Sequence, residues 1–260
     1  MSSTGGLSYS ATLSQGLPAT SKQFSSASSQ AQQAPSNDQS SAQRSRGQQA
    51  SHIDRANHSQ PEAHRKRRPS PSHIPQTGNE EQNVYVLTLL TDKPLHERMT
   101  DLRKRYFPKK INKLAAHLTL FHALPESKLE SKIIHTLLEV TKTTSPFRVE
   151  ATEPFRLKKG FAISVSNQHG GNQAKSIHRQ LQQAWKGEGW LSQQDAGGCR
   201  VHYTLMNKVD DEGEVQNALD ELKSFWKGDG GKAEGLALWR YDRGFWRWER
   251  KFSFKGESGS

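Results

Sequence analysis

The tetrapeptide His-x-Thr-Leu occurs twice in this chain, as His117-Leu118-Thr119-Leu120 and as His202-Tyr203-Thr204-Leu205. On ordinary residue usage one such match arises by chance about once in thirty chains of this length, and a pair far more rarely. Both copies lie in stretches with the apolar, β-branched character of strands. A chain that repeats such a strand is constrained to a duplicated fold, in which both stretches hold the same place in two copies of one unit.

The flanking pattern agrees with duplication. Residues 84–90 read as a buried strand. Leu95, Met99, Leu102 and Tyr106 follow at helical spacing, with Asp92 near the start and Pro108 closing the segment. Residues 117–124 are the next strand, Leu129, Ile133, Leu137 and Val140 mark a second helix, and residues 147–155 a third strand. The order then recurs. Residues 161–166 read as a strand, and Asn172 is expected to cap a helix carrying Ala174, Ile177, Leu181 and Ala184. Residues 201–209 form a strand, and Val215, Leu219, Leu222 and Phe225 a helix ending at Gly228. Residues 236–242 close the unit, with residues 245–254 folding back through Asp242-Arg243-Gly244 as a hairpin. The predicted class is α+β, built from two β-α-β-α-β units.

Side chains alternate along a strand, so His and Thr of each motif share one face. Packed about a pseudo-twofold axis, the two pairs can converge on a single cleft. Two imidazoles there can serve as general base and general acid at once, if one is neutral and the other charged. In-line displacement at phosphorus needs that division, and threonine hydroxyls can stabilise charge on the non-bridging oxygens. His117, Thr119, His202 and Thr204 are therefore the candidate catalytic residues, and no cofactor or metal is required. A zinc site on the two His lacks a convincing third ligand. His122, His135 and His178 read as surface or strand-edge residues. The Gly170-Gly171 pair lacks phosphate-loop spacing and reads as a turn.

Composition sets the boundaries. Only 32% of the chain is hydrophobic, and the shortfall is concentrated in residues 1–82, rich in Ser, Gln, Ala and Pro. Such a segment cannot bury enough surface to offset its ordering entropy, so it is expected to be a disordered tail. Residues 83–255 are the expected folded domain, and residues 256–260 a disordered end. The tail has eight Lys and Arg against five acids, a net +3, which leaves +8 of the chain's +11 on the remainder. A domain that basic attracts phosphate-bearing partners, although a solvated surface would show the same charge.

Arg103, Lys104, Arg105, Lys109, Lys110 and Lys113 crowd the approach to the first motif. These six could bind backbone phosphates, Arg105, Lys110 and Lys113 foremost, against the alternative of a solvated helix face. Trp239 and Tyr241, with Trp246, could stack a base, or could pack in the core. Tyr203 alternates with its His and should point away from the cleft.

A single cysteine, Cys199, rules out an internal disulfide and a thiolate zinc cage. No apolar run is long enough to cross a membrane, and the N-terminus lacks the apolar core of a secretory signal. It is Ser-rich with no acid before Asp38, faintly like a transit peptide, but Lys22 is its one early cation. Arg65-Lys66-Arg67-Arg68-Pro69 could be a nuclear import signal or a nucleic-acid arm. A cytoplasmic or nuclear placement is expected, not secretion.

The twin His-x-Thr motifs in a duplicated α+β unit resemble the 2H phosphoesterase superfamily, which includes 2'-5' RNA ligase-like proteins and cyclic phosphodiesterases. The nearest resemblance is to a fungal branch of 2'-5' RNA ligase type. It rests on Tyr85-Val86-Leu87-Thr88-Leu89, on Arg103 through Tyr106-Phe107-Pro108 to Asn112-Lys113-Leu114, and on His117 through Pro125. His202 through Val209 and Leu238-Trp239-Arg240-Tyr241-Asp242 add to it. The resemblance covers most of residues 83–255. It implies a bilobal LigT-like fold with two antiparallel sheets around a central cleft. It implies His117 and His202 as the acid/base pair, with Thr119 and Thr204 as phosphate-binding hydroxyls. It further implies action without metal on 2',3'-cyclic phosphates or 2'-5' linkages, the partner being RNA or a nucleotide rather than a membrane. The chain is expected to act as a monomer.

Overall fold

The computed structural model describes residues 73–257. Most of the Ser/Gln-rich segment, with the basic cluster Arg65, Lys66, Arg67 and Arg68, lies outside the described residues, as do residues 258–260.

The first unit comprises β1 (Val84–Thr91), α1 (Lys93–Tyr106), β2 (Leu118–Pro125), α2 (Ile134–Thr143) and β3 (Phe147–Leu157). The second comprises β4 (Gly160–Val165), α3 (Asn172–Lys186), β5 (His202–Met206), α4 (Glu212–Phe225) and β6 (Asp229–Asp242), on which β7 (Phe245–Ser253) folds back. The element order is the one expected from the pattern. Local chemistry explains the ends. Asp92 caps α1 by accepting from the Leu95 N–H at 2.9 Å, and Asp211 caps α4 by accepting from that of Glu214 at 3.0 Å. The basic last turn of α1 complements its helix dipole.

Several boundaries differ from expectation, and three of these differences have a clear physical cause. Asn172 lies within helical backbone and caps nothing. Ser166 instead accepts from the His169 N–H at 3.3 Å and opens a wide turn ahead of α3. Gly170 in that turn has φ of +100°, and a Cβ there would stand 2.7 Å from the Arg148 carbonyl, so the Gly pair is a packed turn. β5 stops at Met206, because Lys208 takes a left-handed φ of +66°. β6 starts at Asp229 rather than 236; the Gly-rich stretch has little strand preference of its own and is recruited by pairing with β3.

All strand pairs are antiparallel, in the order β1-β2-β5-β4-β3-β6-β7, with β1 also paired to β6. One half is β2-β1-β6-β7 and the other β5-β4-β3. Each unit lends its third strand to the other half: β3 pairs with β4, and β6 with β1. Two seams join the halves into one sheet, β2 to β5 at Leu118↔Tyr203, and β3 to β6 from Phe147↔Ala233 to Ala151↔Asp229. The helices are exchanged as well. α1 packs beneath β5, and α3 beneath β2, where Phe121 meets Trp185 at 4.9 Å. Leu95, Met99, Phe121, Phe161, Trp185 and Tyr203 are buried in the single core that results. Such interlacing holds the two motif strands at a fixed spacing, since neither half can shift without tearing the other's core.

The domain's edges reach slightly beyond 83–255. Gln76 donates its backbone N–H to the Trp190 carbonyl at 2.9 Å, and Ser127 Oγ donates to Glu81 at 2.6 Å. At the other end, Gly256 N–H donates to the Thr144 carbonyl at 2.9 Å.

Candidate active site

The seam between the halves falls at the centre of both motifs. Leu118 and Tyr203 are partners across it, and both side chains are buried in the core. Alternation turns His117, Thr119, His202 and Thr204 to the opposite face, where all four are half-buried. Continued antiparallel from Leu118↔Tyr203, the register sets His117 across from Thr204 and Thr119 across from His202. One strand contact therefore assembles all four motif residues.

The two imidazoles are held in the same way. His117 Nδ1 lies 2.8 Å from the Ala115 carbonyl, and His202 Nδ1 lies 2.7 Å from that of Arg200. A carbonyl can only accept, so each Nδ1 carries the hydrogen and each Nε2 keeps its lone pair. Burial pushes the His117 pKa down to about 3, opposed by the Ala115 carbonyl and aided by the charges of Arg103, His122 and His202. Part of the ring still meets water, but it lies deep against the Trp246 indole, 4.3 Å between centroids. The His202 pKa is also lowered, first by burial and then by the Arg200 guanidinium and His122, against the pull of the Arg200 carbonyl.

The walls differ on the two sides. Beside His117, Trp239 donates its indole N–H to Thr88 Oγ1 at 3.0 Å and stands 5.8 Å from Trp246. With Lys113, Lys93 and Lys251 these rings line a cavity of about 660 Å³. Beside His202, the Phe155 ring meets the imidazole edge-on at 5.7 Å, and Arg200 lies 3.5 Å over that ring. A second cavity of about 440 Å³ opens there, lined by Arg200, Lys175, Glu153, Ser164 and Asn167.

Lys113 and Trp239 thus line the groove beside His117. Arg105 does not: it pairs with Glu221 on α4 and lies over Tyr106 and Phe225. Lys110 is exposed on a short turn outside both cavities. Tyr241 is opposite Trp246 in the hairpin and stands exposed at the rim. Arg103 is not a surface cation. It is buried, donating to Asn112 Oδ1 at 3.1 Å and to the carbonyls of Leu114 at 3.2 Å and Thr204 at 2.6 Å. Burial lowers its pKa to about 10, which leaves it charged. It ties α1 to the approach of the first motif and the strand of the second.

His135 is exposed, but His178 is buried against Phe121 at 4.5 Å, contrary to a surface role. His122 belongs to the groove. Leu87 pairs with Phe121 while Thr88 pairs with Thr119, a bulge that buries both Leu120 and Phe121 and returns His122 to the face of His117 and Thr119. The buried Asp195 carboxylate accepts from the backbone N–H of His122 at 2.8 Å and of Ala123 at 2.9 Å, and lies 3.3 Å from His122 Nδ1. Those bonds outweigh the cost of burial and hold its pKa below the usual carboxylate range. Neither the bulge nor a partner more than seventy residues away leaves a periodic signal, so sequence could not join His122 to Asp195. Among the described residues no group of three His, Cys, Asp or Glu side chains is placed to hold a metal ion. No described helix is long and apolar enough to cross a membrane.

A search of curated proteins gave no match. Solved structures similar to this chain include TT0787 of Thermus thermophilus, 13% identical with a TM-score of 0.48, covering 67% of this chain and 100% of that one. E. coli LigT in apo form is 11% identical with a TM-score of 0.46, covering 66% and 95%. LigT complexed with 3'-AMP is 12% identical with a TM-score of 0.44, covering 65% and 94%. The model of the 2'-5' RNA ligase superfamily matches residues 91–245, which include both motif strands, both seams and all four helices around them. Since that match takes in more than half of the chain, the protein belongs to the 2'-5' RNA ligase superfamily.

Proposed function

We propose that the domain is a metal-independent phosphodiesterase that opens 2',3'-cyclic phosphates on RNA ends or nucleotides, with His117 and His202 as its acid/base pair. The observation that carries this reading is the matched pair of Nδ1–carbonyl hydrogen bonds, which leaves two Nε2 atoms from facing strands free for proton transfer. His117, the more strongly depressed of the two, is neutral and acts as the base. Its Nε2 takes a proton from water as the water oxygen bonds to phosphorus. The bond from phosphorus to one ribose oxygen breaks, and protonated His202 delivers its Nε2 hydrogen to that oxygen. The product is a phosphomonoester beside a free hydroxyl. Thr119 and Thr204 donate to the non-bridging oxygens as charge builds.

The cavity beside His202 favours a second use of the same centre. It offers room for another nucleoside on the far side of the phosphate, whose 5'-hydroxyl could replace water and give a 2'-5' linkage. Joining is the same in-line displacement with the 5'-hydroxyl in place of water and the bond from phosphorus to the 3'-oxygen broken, and by microscopic reversibility the same two histidines would also run it backwards, from a 2'-5' linkage to a cyclic phosphate.

The test is turnover of an oligonucleotide ending in a 2',3'-cyclic phosphate, with EDTA present, for wild type, His117→Ala and His202→Ala. Turnover that survives chelation and collapses in each folded variant is expected. In the free enzyme the alkaline limb of kcat/KM should fall below pH 6.5, because the acid's pKa is lowered. RNA binding without turnover, unchanged in both variants, would instead identify a non-catalytic RNA adaptor.

A further inference from the structure

The tip of the β6–β7 hairpin carries a surface at odds with exposure to water alone. Among the described residues seven large hydrophobic side chains are exposed, and three of them, Tyr241, Phe245 and Trp248, cluster on this hairpin. Trp248 is 71% exposed, which is unusual for the side chain with most to gain from burial. Cations are interleaved with these rings. Residues 239–251 hold Arg240, Arg243, Arg247, Arg250 and Lys251 against two acids, Asp242 and Glu249. Arg240 lies 5.1 Å from the Trp248 ring centroid, Arg247 lies 5.4 Å from that of Phe245, and Lys113 reaches the same ring at 4.4 Å.

We infer that this hairpin is a platform for single-stranded RNA, continuing the aromatic wall of the active site outward. The inference rests on the phosphodiesterase reading of the groove and deepens it, since it makes an RNA strand, rather than a mononucleotide, the preferred substrate. Continuity is the first argument. Trp246 touches His117, Tyr241 faces Trp246 across the hairpin, Phe245 follows at the turn beside Lys113, and Trp248 comes two residues after Trp246, at a bulge where its backbone takes a left-handed φ of +57°. A strand whose 3' end is at the histidines meets these rings next.

Charge and shape select the occupant. Stacking faces set among guanidinium groups suit unpaired bases and the phosphates between them, whereas duplex bases are not available to stack. Among the described strands β7 pairs only with β6, so its outer edge could in principle accept a peptide strand. The Arg-rich sequence there opposes strand-to-strand pairing and favours a polyanion. Asp242 is engaged by both Arg243 and Arg247, and Glu249 by Lys251 at 3.2 Å, so the acids are neutralised within the hairpin while cations remain in excess.

The test compares cyclic-phosphate-ended oligonucleotides of one to ten nucleotides on the full chain, wild type and Trp248→Ala. KM should fall with length in the wild type. Trp248→Ala should raise KM for the decamer about tenfold while leaving the cyclic mononucleotide unchanged, as expected for the loss of one stacked base. Arg243→Gln with Arg247→Gln should flatten the dependence of log affinity on log salt by about 1.4, twice the single-strand value per phosphate. A KM that ignores length would overturn the inference. So would a Trp248→Ala effect equal on both substrates, or one on self-association alone. If no substrate turns over, decamer binding by fluorescence anisotropy separates the two readings. Length-dependent binding weakened by Trp248→Ala would keep the platform and remove the phosphodiesterase; binding indifferent to Trp248 would remove the platform.

Discussion

Replacing Arg103 with methionine should destabilise the domain by about 3 kcal/mol, and the figure follows from its surroundings. The guanidinium donates to Asn112 Oδ1, the Leu114 carbonyl and the Thr204 carbonyl. Hydrogen bonds from a charged donor contribute roughly 2 kcal/mol each, so three give about 6. Burying the cation offsets part of this. A pKa of about 10, against 12.5, corresponds to roughly 3 kcal/mol disfavouring the charged form. Methionine can fill much of the space over Phe107, where the guanidinium carbon stands 3.8 Å from the ring centroid, but leaves the three acceptors unmet. For a domain of this size about 3 kcal/mol lowers Tm by roughly 6–12 °C. Urea unfolding of wild type, Arg103→Met and Arg103→Lys measures it: the midpoint should fall with the slope unchanged, and lysine should recover only part. An unchanged midpoint together with weakened RNA binding would refute the network and restore Arg103 to the phosphate-binding role its place in a basic run suggests.

Acid should weaken the fold through His117. Between the unfolded pKa near 6.5 and the folded value of about 3, the unfolded chain binds more protons, so stability is present above 6.5 and is lost as pH falls through that window. Urea unfolding at pH 7 and pH 4.5 should show a smaller acid loss in His117→Asn than in wild type; parallel losses would count against a ring held neutral. Asp195→Ala strips the acceptors from the His122 and Ala123 N–H groups and should cost about 2–4 kcal/mol, by the same unfolding assay. A loss below about 0.5 kcal/mol, the size of an ordinary surface change, would show that the bulge holds itself. Thr119→Val and Thr204→Val should each lower kcat about a hundredfold with little change in Tm, and an unchanged kcat would exclude the hydroxyls from the transition state.

The sequence carried the element order and the four motif residues, because both are written in local periodicity and in a repeated tetrapeptide. What it could not carry was the exchange between units. The β3–β4 hairpin is local, closed by Lys158 and Lys159, but nothing in β6 says that it pairs with β1 of the first unit, and the Gly-rich start of β6 has a strand only because β3 is beside it. Cations misled for the same reason. Arg103, Arg105 and Lys110 look alike in a basic run, yet one is buried beneath β5, one pairs with α4, and one stands in solvent. A helix shows its apolar stripe to the reader but not the partner that stripe meets. The bulge that turns His122 into the groove is a one-residue slip between strands far apart in sequence, and pattern reading assumes no slip.

Under the proposed mechanism, duplication alone would make two equivalent histidines, with nothing built in to decide which is the base and which the acid. The repeated backbone supplies what must be the same, an Nδ1–carbonyl bond two residues upstream and an Nε2 free to act. A fixed division of the proposed roles comes from what the copies do not share. His117 lies under Trp246 and feels Arg103, a cation engaged only by neutral acceptors, so its proton is strongly disfavoured. His202 meets Phe155 edge-on and lies near Arg200, whose guanidinium is held over the Phe155 ring, and its pKa is lowered less. Divergence of the walls, with the strand contact kept, is thus the step that could turn a symmetric pair into one base and one acid. Exchanging the surroundings rather than the histidines should move the roles. In Trp246→Phe the pKa of His117, followed by NMR titration of the ring, should rise towards that of His202, whereas an unmoved pKa would locate the asymmetry elsewhere.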